Sequence, residues 1–242
     1  GIQNFYAGEA TSLSMCCRMR SSVKSKGHTY SLGTGSVSTG SHRVCNIPLP
    51  RIAIESNGNK AEFFRILKHR IVEVHAVLHA HREIIKEMIK IKGKLPLYEH
   101  HWMELSKQYS TVGIIGPYEA CAFMGMDIIT PEGRDFVVEI MDFINEENLK
   151  EQERWDDGRE FNLELIPGEQ ANIKVCEADK MLFPSFFKNS KYKNIKLYAN
   201  QFIPLPKKVP VWDRLTLQGV FDSRAQGGCI LHINVDHRFR NK

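Results

Sequence analysis

Phe161-Asn162-Leu163-Glu164-Leu165-Ile166, then Pro167-Gly168, then Glu169-Gln170-Ala171-Asn172 is the stretch that decides the fold. The first six residues read as a strand, the Pro-Gly pair as a turn, and Glu169 to Lys180 as a helix. A strand running straight into a helix is the repeating unit of sheets whose strands lie parallel. The start of such a helix presents unpaired N–H groups and the positive end of its dipole, a cradle suited to phosphate. The bland alternative is an ordinary strand-to-helix turn in which Glu169 complements the helix dipole.

The same alternation extends in both directions. Thr111 to Ile115 is β-branched and apolar, hence a strand, and Gly116-Pro117 opens the next helix. Pro131 suits a first helical turn, and Phe136, Val137, Ile140, Met141 and Ile144 form one apolar face that Asp156-Asp157-Gly158 ends. Upstream, Asn59 with Glu62 marks a helix start; Phe63, Leu67, Ile71, Val74, Leu78, Ile85 and Met88 carry the helix to about Gly93. Tyr98 to Tyr109 reads as a shorter helix, and Val44 to Ile54 as an apolar extended stretch after a Gly/Ser/Thr-rich loop at Ser31 to Ser41. Short strands are expected at Leu197 to Phe202 and Leu215 to Phe221, and a buried strand at Gly227 to Val235. The pattern predicts a mostly parallel sheet or barrel with helices outside.

Composition sets the bounds. The chain has 242 residues, 42% hydrophobic and 25% charged, which excludes a disordered or collagen-like polymer and a small disulfide scaffold. Lys and Arg number 33 against 28 Asp and Glu, a net charge of +5. That excess permits an anionic ligand but does not argue for nucleic acid. No apolar run approaches a membrane span, and the beginning lacks a signal pattern, so a cytoplasmic location is expected. The six cysteines show no Cys-x-x-Cys spacing, which fits a reducing compartment. Gly at position 1, and a strand so near residue 242, lead us to expect a segment of a longer polypeptide.

Three further constellations carry possible chemistry. In Ser14-Met15-Cys16-Cys17-Arg18-Met19-Arg20, two thiols stand beside two guanidiniums, which favour thiolate; two small buried residues are the alternative. His75 and His79 share a helical face with His81 nearby, but the Glu of a metalloprotease motif is missing, so structural histidines and no metal site are expected. Asn200-Gln201 enters an apolar stretch, where its amides serve either a polar ligand or the backbone.

The order of these motifs resembles the anaerobic (class III) ribonucleoside-triphosphate reductases. The likeness runs from Ser14-Met15-Cys16-Cys17-Arg18 through Thr39-Gly40-Ser41-His42-Arg43-Val44 into Leu49-Pro50-Arg51-Ile52-Ala53. It continues in Tyr109 to Ile114 with Glu119-Ala120, in Phe161 to Glu164 with Ile166 to Glu169, and in Asn200 to Leu205. It ends with Gly227 to Val235. The resemblance implies part of a ten-stranded α/β barrel of the ribonucleotide reductase and glycyl-radical enzyme type. Residues 1–55 would hold the finger loop and adjoining strand, and residues 56–242 an αβ half-barrel. It implies conversion of ribonucleotides to deoxyribonucleotides, with a thiyl radical removing the ribose 3′ hydrogen. Matched to the finger loop, Cys17 is the radical residue and Cys16 its neighbour, while Pro167, Gly168, Glu169, Gln170 and Ala171 hold substrate phosphates.

The resemblance also implies partners beyond this chain: a glycyl radical installed by an S-adenosylmethionine-dependent iron–sulfur activase, with formate or a thiol system as reductant. Those cofactors are not expected within these residues, and the chain alone is expected to be inactive. It would need a complementary reductase polypeptide or flanking domains, in an enzyme expected to be a homo-oligomer. Two positions depart from the family. Pro48 stands where an Asn commonly faces substrate, leaving Asn46 as the substitute, and Ile115 replaces an Asn in the following turn. These departures support an alternative, a non-catalytic nucleotide-binding or assembly module built on the same barrel.

Overall fold

The computed structural model describes the backbone of residues 12–14 and 20–22, and residues 40–155, 157–168, 170–188 and 190–233 in full. Two short strands, β1 (Ser12–Ser14) and β2 (Arg20–Ser22), pair antiparallel. A second sheet has three parallel strands in the order β3 (Gly40–Pro48), β4 (Gln108–Ile115), β5 (Glu160–Leu165). This mixed α/β arrangement bears out the parallel sheet with helical crossovers and is consistent with part of a barrel.

Helices fill the connections. After β3 come α1 (Leu49–Glu55), α2 (Lys60–Ile89) and the single turn α3 (Pro96–Glu99). After β4 come α4 (Pro117–Phe123) and α5 (Pro131–Trp155); after β5 come α6 (Gln170–Leu182), α7 (Pro184–Lys188) and α8 (Val211–Asp222). The Asn59 side chain caps α2 by accepting from the Glu62 N–H at 3.1 Å. Phe63, Leu67, Ile71, Val74 and Leu78 then bury one stripe of α2. That stripe meets the stripe of α5 anticipated at Phe136 to Ile144, with the Phe63 and Phe136 rings 5.2 Å apart and edge-on. Both helices cover the same face of the sheet, where Ile47, Val112, Ile114, Leu163 and Leu165 are buried.

Five sequence expectations are corrected. The extended stretch at Val44 to Ile54 stops at Pro48, because Leu49-Pro50 opens α1, whose first turn does not need the missing proline N–H. The helix at Tyr98 to Tyr109 is replaced by α3, a 3₁₀ turn at Leu105–Lys107 and the beginning of β4; the stretch has no apolar stripe to bury. Leu215 to Phe221 lies inside α8, where Arg214, Leu217, Gln218 and Phe221 are buried at helical spacing. Leu197 to Phe202 is irregular, yet Tyr198, Ala199, Gln201 and Phe202 are buried. At Gly227 to Ile233 the strand is reduced to one parallel bridge, Gly228 against Glu164, and Asn234 and Val235 lie outside the described residues. Among the described residues no helix is long and apolar enough to cross a membrane.

Ile140→Ala should lower unfolding free energy by about 2–5 kcal/mol through lost burial and a residual cavity. Asn59→Ala should cost about 1 kcal/mol through the cap. Urea titration followed by circular dichroism checks both, and equal effects would contradict the placement of Ile140 in the core.

Candidate functional site

Side chains alternate across a strand, so the residues between the core positions share the opposite face of the sheet. The register aligns Val44, Thr111 and Asn162 in one row, and Asn46, Gly113 and Glu164 in the next, toward the C-terminal ends of all three strands. This face is polar, yet Thr111, Asn162 and Glu164 are 0%, 2% and 6% exposed. The Oδ1 atoms of Asn46 and Asn162 are buried without a hydrogen-bond partner among the described residues. Each such orphan costs about 1–3 kcal/mol. A buried polar face with unspent acceptors is built to meet something polar.

Gly113 makes the second row possible. A Cβ there would lie 2.0 Å from Asn46 Oδ1 and 2.6 Å from Ile166 Cγ1, so only hydrogen lets the amide lie across the strand. Asn46 thus reaches over Gly113 beside the chain entering the Pro167 turn. In that turn Gly168 has φ 65°, and its carbonyl accepts the Ala171 N–H at 2.6 Å. A third orphan, Asn172 Oδ1, sits within contact of Gly168, while Asn172 Nδ2 donates to the Pro167 carbonyl at 3.4 Å. Gln170 is exposed at the start of α6, and Pro167, Gly168 and Ala171 are half-buried.

The structure therefore places Asn46, one of the residues singled out in the sequence, beside Ile166, which enters the Pro167 turn that the sequence also singled out. Glu169 lies outside the described residues. So do Cys16 and Cys17, which fall in the connection between β1 and β2. Sequence reasoning passed over Glu164, although the alternation of Phe161, Leu163 and Leu165 with Asn162 and Glu164 separates a core face from a polar one. Asn172 enters the sequence reading only for its backbone N–H at the start of the helix; its side chain, packed on Gly168, carries no local signal.

Around the C-terminal edge, one irregular segment is held by α4 and α6, and α1 braces the α6 carboxylate that holds it. Tyr198 Oη donates to Asp179 Oδ2 of α6 at 2.8 Å, and Arg51 Nε of α1 donates to Asp179 Oδ1 at 2.6 Å. The Ala199 N–H donates to Glu119 Oε2 of α4 at 3.0 Å. Gln201 Oε1 accepts the His232 N–H at 2.8 Å. Burial pushes the Glu119 carboxyl up to about 7, against the opposing pull of the Ala199 N–H. Burial, then the Asp179 charge, pushes the Tyr198 phenol up. Ile115 packs in the same place, against Cys176 and Tyr198.

The histidines do not converge. His75 bonds Asn148 Oδ1 at 2.8 Å; His79 stacks on Trp155 and receives Arg159 Nη1 at 2.6 Å; His81 approaches His42 Nδ1 at 3.3 Å. Among the described residues no group of three or more His, Cys, Asp or Glu is placed to hold a metal ion.

A sequence model of the family described as "Anaerobic ribonucleoside-triphosphate reductase" matches residues 2–242. Among solved structures, the anaerobic ribonucleotide reductase from Thermotoga maritima with glycerol in the active site is 37% identical, with a TM-score of 0.78 over 93% of this chain. The Thermotoga maritima enzyme in complex with dATP and CTP is 37% identical, with a TM-score of 0.76 over 88% of this chain. This chain spans only 36% and 35% of the length of those two structures. No curated protein gave a significant match.

Two measurements check this geometry. Gly113→Ala should displace the Asn46 amide and cost about 1–3 kcal/mol, read from the urea midpoint; a silent substitution would contradict the close approach. The raised Glu119 pKa means the folded state holds this proton more tightly than the unfolded one, whose carboxyl titrates near its ordinary 4.5. Its contribution to stability is therefore full below about pH 4.5 and is lost as pH rises through about 7. Glu119→Gln should flatten that part of the stability profile between pH 5 and 8, and an unchanged profile would contradict the burial of the acid.

Proposed function

This chain belongs to the anaerobic ribonucleoside-triphosphate reductase family, and we propose that it forms the part of such an enzyme that binds a ribonucleoside triphosphate and delivers the thiol that attacks its sugar. The observation that carries this reading is the buried polar row Asn46, Gly113, Glu164 beside the Pro167–Ala171 turn. Phosphates would lie at the start of α6, where N–H groups and the helix dipole favour anions. The sugar would then lie along this row, with Asn46 offering an amide to its hydroxyls, Glu164 a carboxyl, and Asn162 a second amide from the adjoining row. Asn46 takes over from the Asn that Pro48 replaces, since the two positions are two apart on one strand and face the same way.

The chemistry follows from that placement. Cys17, as a thiyl, takes the 3′ hydrogen and becomes a thiol. The 2′ hydroxyl departs as water after receiving a proton, for which the Glu164 carboxyl is the nearest acid along the row. Two electrons from formate or a thiol reductant complete the exchange, and Cys17 returns the hydrogen to C3′. A glycyl radical, installed by an S-adenosylmethionine-dependent activase on the complementary region, supplies the oxidising equivalent that makes the thiyl. The remaining reductase polypeptide, the activase and a second copy of the enzyme are the proposed partners, and the cytoplasm is the proposed location.

The test supplies the complementary polypeptide, activase, reductant and cytidine triphosphate to this chain under anaerobic conditions, and measures deoxycytidine triphosphate. Cys17→Ser should abolish product, whereas Cys16→Ser should not remove it entirely. Undiminished turnover in the Cys17 variant would overturn the assignment. Nucleotide binding without product in the complete wild-type mixture would favour the non-catalytic module.

A further inference from the structure

We propose that Glu119 is a positioning residue for the nucleotide site: through the Ala199 amide it sets the Tyr198–Gln201 segment at the C-terminal edge of the sheet, and with it the Gln201 side chain. This inference rests on the reading of that edge as the nucleotide site.

An acid in the first turn of a helix ordinarily faces solvent and complements the dipole. Glu119 sits in the first turn of α4 but is 7% exposed, and its carboxyl points to another segment. Burying a carboxyl there is costly compared with an apolar side chain of the same size. What the acid provides, and leucine would not, is a fixed acceptor for one backbone N–H. That N–H belongs to a segment without regular structure, so nothing in its own ladder holds it.

The neighbouring anchors show the same purpose. Tyr198 is tied to Asp179, Asp179 to Arg51, and the Tyr198 N–H to the Asn172 carbonyl at 3.3 Å. Asn172 is itself the residue that packs on the Pro167–Gly168 turn. The segment is thus referenced to the proposed phosphate cradle through Asn172 and to the end of β4 through Glu119. Gln201, two residues beyond Ala199, is 3% exposed and accepts the His232 N–H, linking the segment to the stretch that bridges β5 at Gly228. Arg214 closes the other end, donating to the carbonyls of Ile203 at 2.5 Å and Lys207 at 2.8 Å. Glu119 and Asp179 are the two carboxylates among these anchors, and the other titratable groups facing Glu119 are Tyr198 and Cys176.

Amide hydrogen exchange resolved by NMR on this chain, together with calorimetric titration of cytidine triphosphate, tests the proposal in wild type, Glu119→Gln and Glu119→Ala. The glutamine oxygen can still accept the Ala199 N–H, so that variant should keep exchange at Ala199 and nucleotide affinity within about threefold of wild type. The alanine variant should speed exchange at Ala199 by about tenfold or more and weaken binding by about tenfold, with β4 and β5 unchanged. Uniform loss of protection across β4 and β5, with affinity following the folded fraction, would overturn positioning in favour of plain structural support. If the alanine variant does not fold, the wild-type chain decides: the Ala199 and Gln201 amide resonances should titrate together and stop doing so in Glu119→Gln. Independent behaviour of the two resonances would contradict the proposal. Exchange as expected but no nucleotide binding by wild type would sink the nucleotide reading while leaving the clamp in place.

Discussion

Parallel pairing of β4 with a neighbour on each side is the constraint on which the rest depends. It puts three C-terminal strand ends on one edge and aligns Asn46, Gly113 and Glu164 in a single row. A slip of one residue would turn that row into the core and push Ile47, Ile114 and Leu165 onto the polar face. The register is held from the other side, because those apolar residues are packed beneath α2 and α5. Core and site are therefore two faces of one decision.

The site's precision comes from what surrounds the strand ends. Each strand runs into a helix that contributes one polar group: Arg51 from α1, Glu119 from α4 and Asp179 from α6. Glu119 and Asp179 hold an irregular segment by its backbone and one phenol, and Arg51 fixes Asp179. Such buried polar connections stabilise little compared with apolar packing, but they admit only one arrangement. Where a substrate must be met by amides and a carboxyl within hydrogen-bond reach, that trade is favourable.

Much of this was legible in the chain. Capping at Asn59, the stripe from Phe63 to Leu78 and the strand-turn-helix at Phe161 to Asn172 each carry a local physical signal, and each stands as read. The misreadings have physical causes as well. Leu215 to Phe221 is β-branched and aromatic enough to suggest a strand, but burial at Arg214, Leu217, Gln218 and Phe221 follows the helical period. Tyr98 to Tyr109 has helix formers but no face to bury. For the site, Asn46 and the Pro-Gly turn were visible, whereas Glu119, Asp179 and Arg51 acquire meaning only through contacts 80 and 128 positions apart. No local pattern encodes such pairings.

The central claim is that the polar face at the C-terminal edge of the sheet receives a ribonucleotide. Backbone amide chemical shifts of the isotopically labelled chain, followed as cytidine triphosphate is added, test it most directly. The account predicts saturable shifts concentrated at Gly113, Glu164 and residues 168–172. Shifts confined instead to the opposite strand ends at Gly40, Gln108 and Glu160, or no saturable shifts at all, would contradict it.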